Sequence, residues 1–442
     1  MNTLLRLLRH GYARSLSENR GSWIGMTTVT RALLSILDQA IVSGVRFLTA
    51  VIIERQCGVD GLGVYTLGFT VLVYLIGTQD NLVVSAYTVY ANRFDGQRRR
   101  EYAGSVVMQY GLLAVLTLMG LLVAGYILTL RSNLVPIGAV FFALAIVIPF
   151  ELLRQLGRRI AFAHLRVLRA LVMDATTSAI YVVGLLLLIS SASLTPVNAY
   201  LVLAVATAPV GLGWLIFFRS KLAFSRQRLW EHTRFNWQFS MWVFASFLVS
   251  TAHLYLVYWM LGLLMGVEAT GQLAICMNVA LLSNPFVLGI VNLMTAWAAQ
   301  GLSTGGSRQL TKIVWQAAGM MSLAMFVFSV LVTSFGDIIL QTVYSHARTV
   351  PASLLIVSVM MVSVDAVSSP FESGLRALER TRVSFVIAPV TLVLTVLLAW
   401  FLMHEIGVLG AALGALAGKL TSCLWRIGAF STCSSLACAE GT

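Results

Sequence analysis

The sequence predicts an all-α polytopic membrane protein of about twelve transmembrane helices in two parallel-repeat six-helix bundles. The first observation behind this is composition: 58% hydrophobic residues, 11% charged residues and a mean hydropathy of +0.86. A soluble domain carries roughly a quarter charged residues, so this chain lacks the polar surface to be one. The second is that Lys and Arg gather on alternate loops. The third is an internal repeat: Gly58-Val59-Asp60 recurs as Gly266-Val267-Glu268 and Gly63 as Gly271, at constant displacement and between long apolar runs.

A hydrocarbon core about 30 Å thick needs roughly 20 apolar residues per helix. Runs of that length lie at 33–53, 62–90, 103–128, 134–156, 167–190 and 197–218, then at 238–263, 270–299, 310–334, 350–372, 383–403 and 407–430. Residues 1–30 form a cytoplasmic N-terminal segment whose apolar run is too short for a secretory signal. An N-lobe at 31–218, a cytoplasmic linker at 219–236, a C-lobe at 237–430 and a cytoplasmic tail at 431–442 complete the expected order. The linker RSKLAFSRQRLWEHTRFN is basic, and its Trp230 together with Trp237 suits the headgroup level.

The net charge of +13 does not point to nucleic acid, because its distribution follows the loops. The N-terminal segment and the loops after the even-numbered spans hold most Lys and Arg, while the opposite loops hold Arg55, Arg131 and Arg348. By the positive-inside rule both termini are cytoplasmic and the span count is even. Each half then starts on the same side, so the halves are parallel repeats with an axis along the membrane normal, an arrangement that encloses a site near the midplane and rocks about it. A second match supports the repeat: Glu151 falls on Asp365, Ala163 on Ala377 and Arg166 on Arg380. The five cysteines form neither a disulfide framework nor a zinc spacing.

The first-helix stretch LLSILDQAIVSGVRFLTAVIIERQCGVDGLGVYTLG, its Gly-containing outer turn, the basic RFDGQRRREY loop and the six-plus-six spans resemble polysaccharide (O-antigen type) flippases, of the multidrug/oligosaccharidyl-lipid/polysaccharide exporter superfamily. The resemblance runs from about Thr30 to Phe430. It implies a V-shaped pair of bundles in the bacterial inner membrane that moves an undecaprenyl-diphosphate-linked oligosaccharide between leaflets, with a polysaccharide polymerase and a chain-length regulator as partners. Two relatives in the same superfamily stay open as alternatives: a cation-coupled multidrug and toxic compound extrusion exporter, and the lipid II flippase branch, whose fourteen spans fit less well. A membrane-bound polysaccharide polymerase is the alternative of another class. No Walker-type GxxxxGK[ST] occurs, and no outer loop pairs carboxylates or a nucleophile with a base, so no enzyme activity is expected.

Charged side chains inside a bilayer cost several kcal/mol and so face a bundle interior or a wet cavity. The acids Asp38, Asp80, Glu151 and Asp365 share one depth near the basic end, and Asp174 lies about 10 Å from that end at a rise of about 1.5 Å per residue. They are candidates for gate ion pairs or for Na⁺ or H⁺ coupling; no other cofactor and no metal site are expected. Glu151, Arg154 and Arg158 fall on one helix face, whereas Asp38 and Asp365 have no adjacent arginine and lead as coupling sites. Arg46 and His253, one per half at similar depth, are candidates for binding phosphate, since a guanidinium offers a planar fork of donors and a protonated imidazole adds a charge. A neutralising bond from Arg46 to Asp80 is the competing reading. Gln79, Asn81 and Tyr87 in the second span, with Asn278, Asn284 and Asn292 in the eighth, are expected to line the cavity and meet sugar hydroxyls.

Overall fold

The computed structural model describes residues 28–90, 94, 96–164, 166–346, 350–378 and 380–439; the side chains of His253 and Asn292 lie outside the described residues. Among these residues all regular structure is helical. The run Thr28–Gln79 breaks at Gly58, where φ +72° and ψ −177° leave the helix. This gives α1 (28–57) and α2 (59–90), and α2 holds a π-helical turn, Asp80–Val84, before its last segment Ser85–Tyr90. Helices α3 (Gly96–Thr129), α4 (Val135–Ala163), α5 (Val167–Ser190) and α6 (Pro196–Phe218) complete the first half.

The second half opens with α7 (Arg226–Leu264). After Gly266, with φ +98°, α8 begins as Val267–Ala280, passes the 3-10 turn Leu281–Ser283 and enters the run Asn284–Ser334. Gly306, at φ +63°, turns that run, so that Ile313 packs against Gly301; twelve residues of straight helix would hold them about 18 Å apart. Thus α8 spans 267–305 and α9 spans 307–334. A short helix Gly336–Val343 and α10 (Ala352–Ala377) follow. The run Thr381–Ala439 breaks at Ile406 and Gly407 into α11 (381–405) and α12 (408–439).

Nine stretches among the described residues are long and apolar enough to cross a membrane. Two of them, Leu33–Thr88 and Val386–Ser435, are double, and α7 adds the apolar segment Tyr255–Leu264. The chain is a multi-pass all-α membrane protein with the twelve helices that the apolar runs predict. Helix ends extend further than those runs: the segment expected as a linker is a 3-10 turn at Arg219–Lys221, a few extended residues, and then the first turns of α7. The helix Gly336–Val343 escaped the hydropathy reading because it is short and amphipathic, burying Leu340 while exposing Ile338.

Three packed cores show how the halves meet. The largest joins Leu62 and Leu67 of α2, Tyr200 of α6, Ile275 of α8, Met361 of α10 and Leu416 of α12, so it crosses both halves. At the end carrying the basic loops it divides: Tyr87, Tyr102 and Ile160 form one cluster in the first half, and Met294, Leu310, Phe371 and Phe430 another in the second. The halves are therefore fused toward the Gly58/Gly266 end and packed separately at the basic end, which is the geometry of a V. One seam stays joined at the basic end, where the Tyr102 hydroxyl donates to Asn236 Oδ1 over 2.8 Å and Arg228 pairs with Glu101 at 2.9 Å.

Candidate functional site

The closed end is built on the repeat itself. Gly63 lies against the backbone oxygen of Val267, and Gly271 against the backbone oxygen of Val59. These are the same two contacts exchanged between the copies, as a two-fold axis between the halves requires. Only a residue lacking Cβ allows either approach, and Gly58 and Gly266, both at positive φ, set the turns that make them. A polar latch adds to this closure. Glu54, fully buried, accepts from the backbone N–H groups of Ser345 and His346 at 3.0 and 2.6 Å. Its neighbour Arg55 donates from Nε to the Val343 carbonyl at 2.8 Å and from a terminal nitrogen to that of Thr342 at 2.6 Å. Hydrophobicity and charge placement gave no sign of this latch; the pairing of a buried acid with backbone N–H groups nearly three hundred residues away has no local signature.

Toward the middle of the molecule, Arg46 of α1 reaches the boundary between the halves. Its guanidinium lies 4.7 Å from the centre of the Phe69 ring and within electrostatic range of Tyr65 on α2 and Tyr255 on α7. Beside it α2 and α7 enclose a cavity of about 240 Å³ lined by Thr70, Tyr74, Tyr255 and Trp259 among others, and the Trp259 indole donates to Thr70 across the seam at 3.0 Å. Arg46 remains solvent-accessible, and among the described residues no carboxylate pairs with it. The expected bond from Arg46 to Asp80 does not form: Asp80 accepts from Arg159 Nε at 3.1 Å and from a second Arg159 nitrogen. His253 lies two residues from Tyr255 on α7, outside the described side chains.

The remaining acids of the first half converge into one network. Arg154 holds Glu151 with a two-pronged bond at 2.8 and 2.6 Å and also donates to Asp174. Arg158 donates to Asp174 from Nε and to Asp38 at 2.8 Å. Gln155 adds a 2.8 Å bond to Glu151. Asp38, Glu151, Arg154 and Asp174 are all buried. With the adjoining Asp80–Arg159 pair, four carboxylates face three arginines, leaving one negative charge without a counterion. The Oδ1 atom of Asp38 is buried and has no hydrogen-bond partner among the described residues.

This overturns one expectation, since Asp38 is not isolated from arginine: Arg158, 120 positions later, supplies its partner. Asp365 likewise pairs with Lys419 of α12. Around it the second half carries more base than acid, with Arg376 and Arg426 on Glu372 and Arg426 also bonded to Ser368 at 3.0 Å. Two cavity-lining expectations also fail. Gln79 is fully buried and donates to the Leu152 carbonyl of α4 at 2.9 Å. Tyr87 is buried against Tyr102 and His164. The π turn at Asp80 explains why a regular helical count misplaces α2 beyond it: one extra residue in the turn rotates everything that follows by about 100°. Asn81 is half-buried with its amide on the Gly77 carbonyl at 2.7 Å, Asn278 faces the Tyr344 hydroxyl, and Asn284 is half-buried just after the 3-10 turn of α8. Asn292 lies outside the described side chains.

No family model and no curated protein sequence matches the chain. Solved structures do. A multidrug resistance MATE family transporter of the MOP superfamily, in an inward-facing conformation, superposes with a TM-score of 0.73 at 14% identity, covering 93% of this chain and 97% of its own. The lipid II flippase MurJ, inward closed, gives 0.66 at 12% identity over 91% of this chain and 87% of its own. A MOP superfamily transporter from Pyrococcus furiosus, described as having a binding pocket of reverse polarity, gives 0.65 at 14% identity over 91% and 96%. At such identities the likeness is one of architecture, and the chain has the fold of the MOP superfamily transporters.

Proposed function

We propose that the protein is a transporter that carries an anionic amphipath across the bacterial cytoplasmic membrane by alternating access, and that its cargo is an undecaprenyl-diphosphate-linked oligosaccharide. The observation that carries this reading is Arg46: a solvent-accessible arginine among aromatic rings at the boundary of the halves, with no carboxylate partner among the described residues. A diphosphate supplies the missing counterion, and a guanidinium meets it with two parallel donors in a site of low dielectric. Tyr65, Tyr255 and Trp259 offer flat faces and polar edges to sugars. The separated cores at the basic end open the V toward the side that the positive-inside rule makes cytoplasmic, where such a lipid is assembled.

A second reading, a cation-coupled exporter of multidrug and toxic compounds, is favoured by the uncompensated carboxylate. In the cargo reading the same charge has a use. Asp38 and Asp174 share the Arg158 guanidinium, and adjacent acids resist simultaneous ionisation, so one proton or Na⁺ at this pair drives the rocking while the cargo binds elsewhere.

Binding separates the readings. Undecaprenyl diphosphate should stabilise the purified protein against heating, and Arg46→Ala should weaken that binding at least tenfold while the unliganded melting temperature stays unchanged. Equal affinity in the variant contradicts the phosphate role of Arg46, and stabilisation by cationic dyes instead of the lipid supports the exporter.

A further inference from the structure

Away from the cleft, three loops of the first half meet at the basic end. The Ala223 N–H, between α6 and α7, donates to the Arg100 carbonyl at 3.1 Å, and Gly104 packs against the Ala223 oxygen. This fixes the α6–α7 connection onto the start of α3. His164, which ends α4, ties in the third loop: Arg99 donates to its Nδ1 at 3.0 Å, and its Nε2 lies 3.1 Å from the Tyr87 hydroxyl. Because guanidinium only donates, Nδ1 must accept, so the proton sits on Nε2 and bonds to Tyr87.

Arg99, Arg166, Arg169 and Lys221 are gathered by these contacts, with no carboxylate paired to any of them among the described residues. They lie within range of one another's charge. Partial burial, followed by the neighbouring Arg166, Arg169 and Arg99, pushes the Lys221 amine down. Burial, then Arg99, Arg166 and Lys221, pushes His164 down to about 4, which keeps it neutral at pH 7. Arg166 and Arg169 also occupy the cap and first turn of α5, an end of a helix that disfavours cations. The chain thus holds four like charges together with nothing of its own to neutralise them.

The apolar residues among these cations point to the source of the missing anion. Leu168 lies exposed between Arg166 and Arg169, while Phe217 and Phe224, 86% and 63% exposed, flank Lys221. Large apolar groups alternating with cations are suited to the boundary of headgroups and acyl chains. We propose that Arg99, Arg166, Arg169 and Lys221 form a binding site for the phosphate of an anionic membrane lipid, with Phe217, Phe224 and Leu168 against its chains. The site is separate from the cargo cleft and independent of the identity of the cargo. Its position on the α6–α7 connection lets a bound lipid brace the joint between the halves.

The test uses the full chain in detergent, with lipid binding followed by native mass spectrometry and thermal unfolding. Phosphatidylglycerol should be retained and should raise the melting temperature, whereas phosphatidylcholine should not. R169Q with K221Q should weaken phosphatidylglycerol binding at least tenfold. R308Q with K312Q, on the basic α8–α9 turn, should leave it unchanged. The proposal is overturned if both double variants lose lipid equally, since the attraction is then general to basic loops. It is also overturned if R169Q with K221Q binds as tightly as the parent, or if inorganic phosphate protects as well as the lipid, which would make this a site for a soluble anion.

Discussion

At the residue scale, the charges inside the membrane sort by whether they have partners. Arg154 and Arg158 knit Glu151, Asp174 and Asp38 together from three helices. Removing one member of a buried pair strands the other, at a cost of about 3–5 kcal/mol. Arg158→Ala should therefore lower the yield of folded protein, because two buried carboxylates lose their shared donor. Asp38→Asn is a gentler change, since the amide oxygen still accepts from Arg158 while the titratable charge is gone. Transport by this variant in vesicles should lose its response to an imposed proton or sodium gradient while the protein keeps its parental melting temperature; an unaltered response would remove Asp38 from the coupling role. Sequence alone located these residues, and it placed Glu151, Arg154 and Arg158 on one face through their spacing. It could not pair Asp38 with Arg158 or Asp365 with Lys419, because those contacts join positions 120 and 54 residues apart that only helix packing brings together.

At the scale of elements, the repeat was readable and its consequence was not. The equivalence of Gly63 and Gly271 is plain in the chain, but only the packed helices show each glycine pressed on the valine carbonyl of the other copy. A methyl group at either position collides with that carbonyl. Replacing both glycines by alanine should force the Gly58/Gly266 end apart, and spin labels at the exposed residues Asp60 and Glu268 should report a longer and broader distance distribution than in the parent. An unchanged distribution would mean that this contact does not hold the end closed. The reading of α2 failed beyond Gln79 for a different reason: hydropathy and spacing assume a uniform helix, and the π turn at Asp80–Val84 is not uniform. The latch of Glu54 and Arg55 on residues 342–346 lay equally beyond sequence reasoning, since backbone groups are its partners.

For the whole molecule, charge is divided between the halves. The network around Arg154 and Arg158 carries one more acid than base, while the cluster around Lys419 and Arg426 carries one more base than acid. Between them stands Arg46, accessible and without a counterion of its own among the described residues. This division gives separate places for a driving cation and an anionic cargo, within a fold whose cores join at one end and part at the other. The measurement that tests the account most directly is the pool of lipid-linked oligosaccharide in cells lacking the gene, extracted and compared with the parent and with cells carrying Arg46→Ala. The account predicts that one undecaprenyl-diphosphate glycan accumulates in both, with the surface polymer lost. An unchanged pool, together with new sensitivity to cationic compounds, would contradict it.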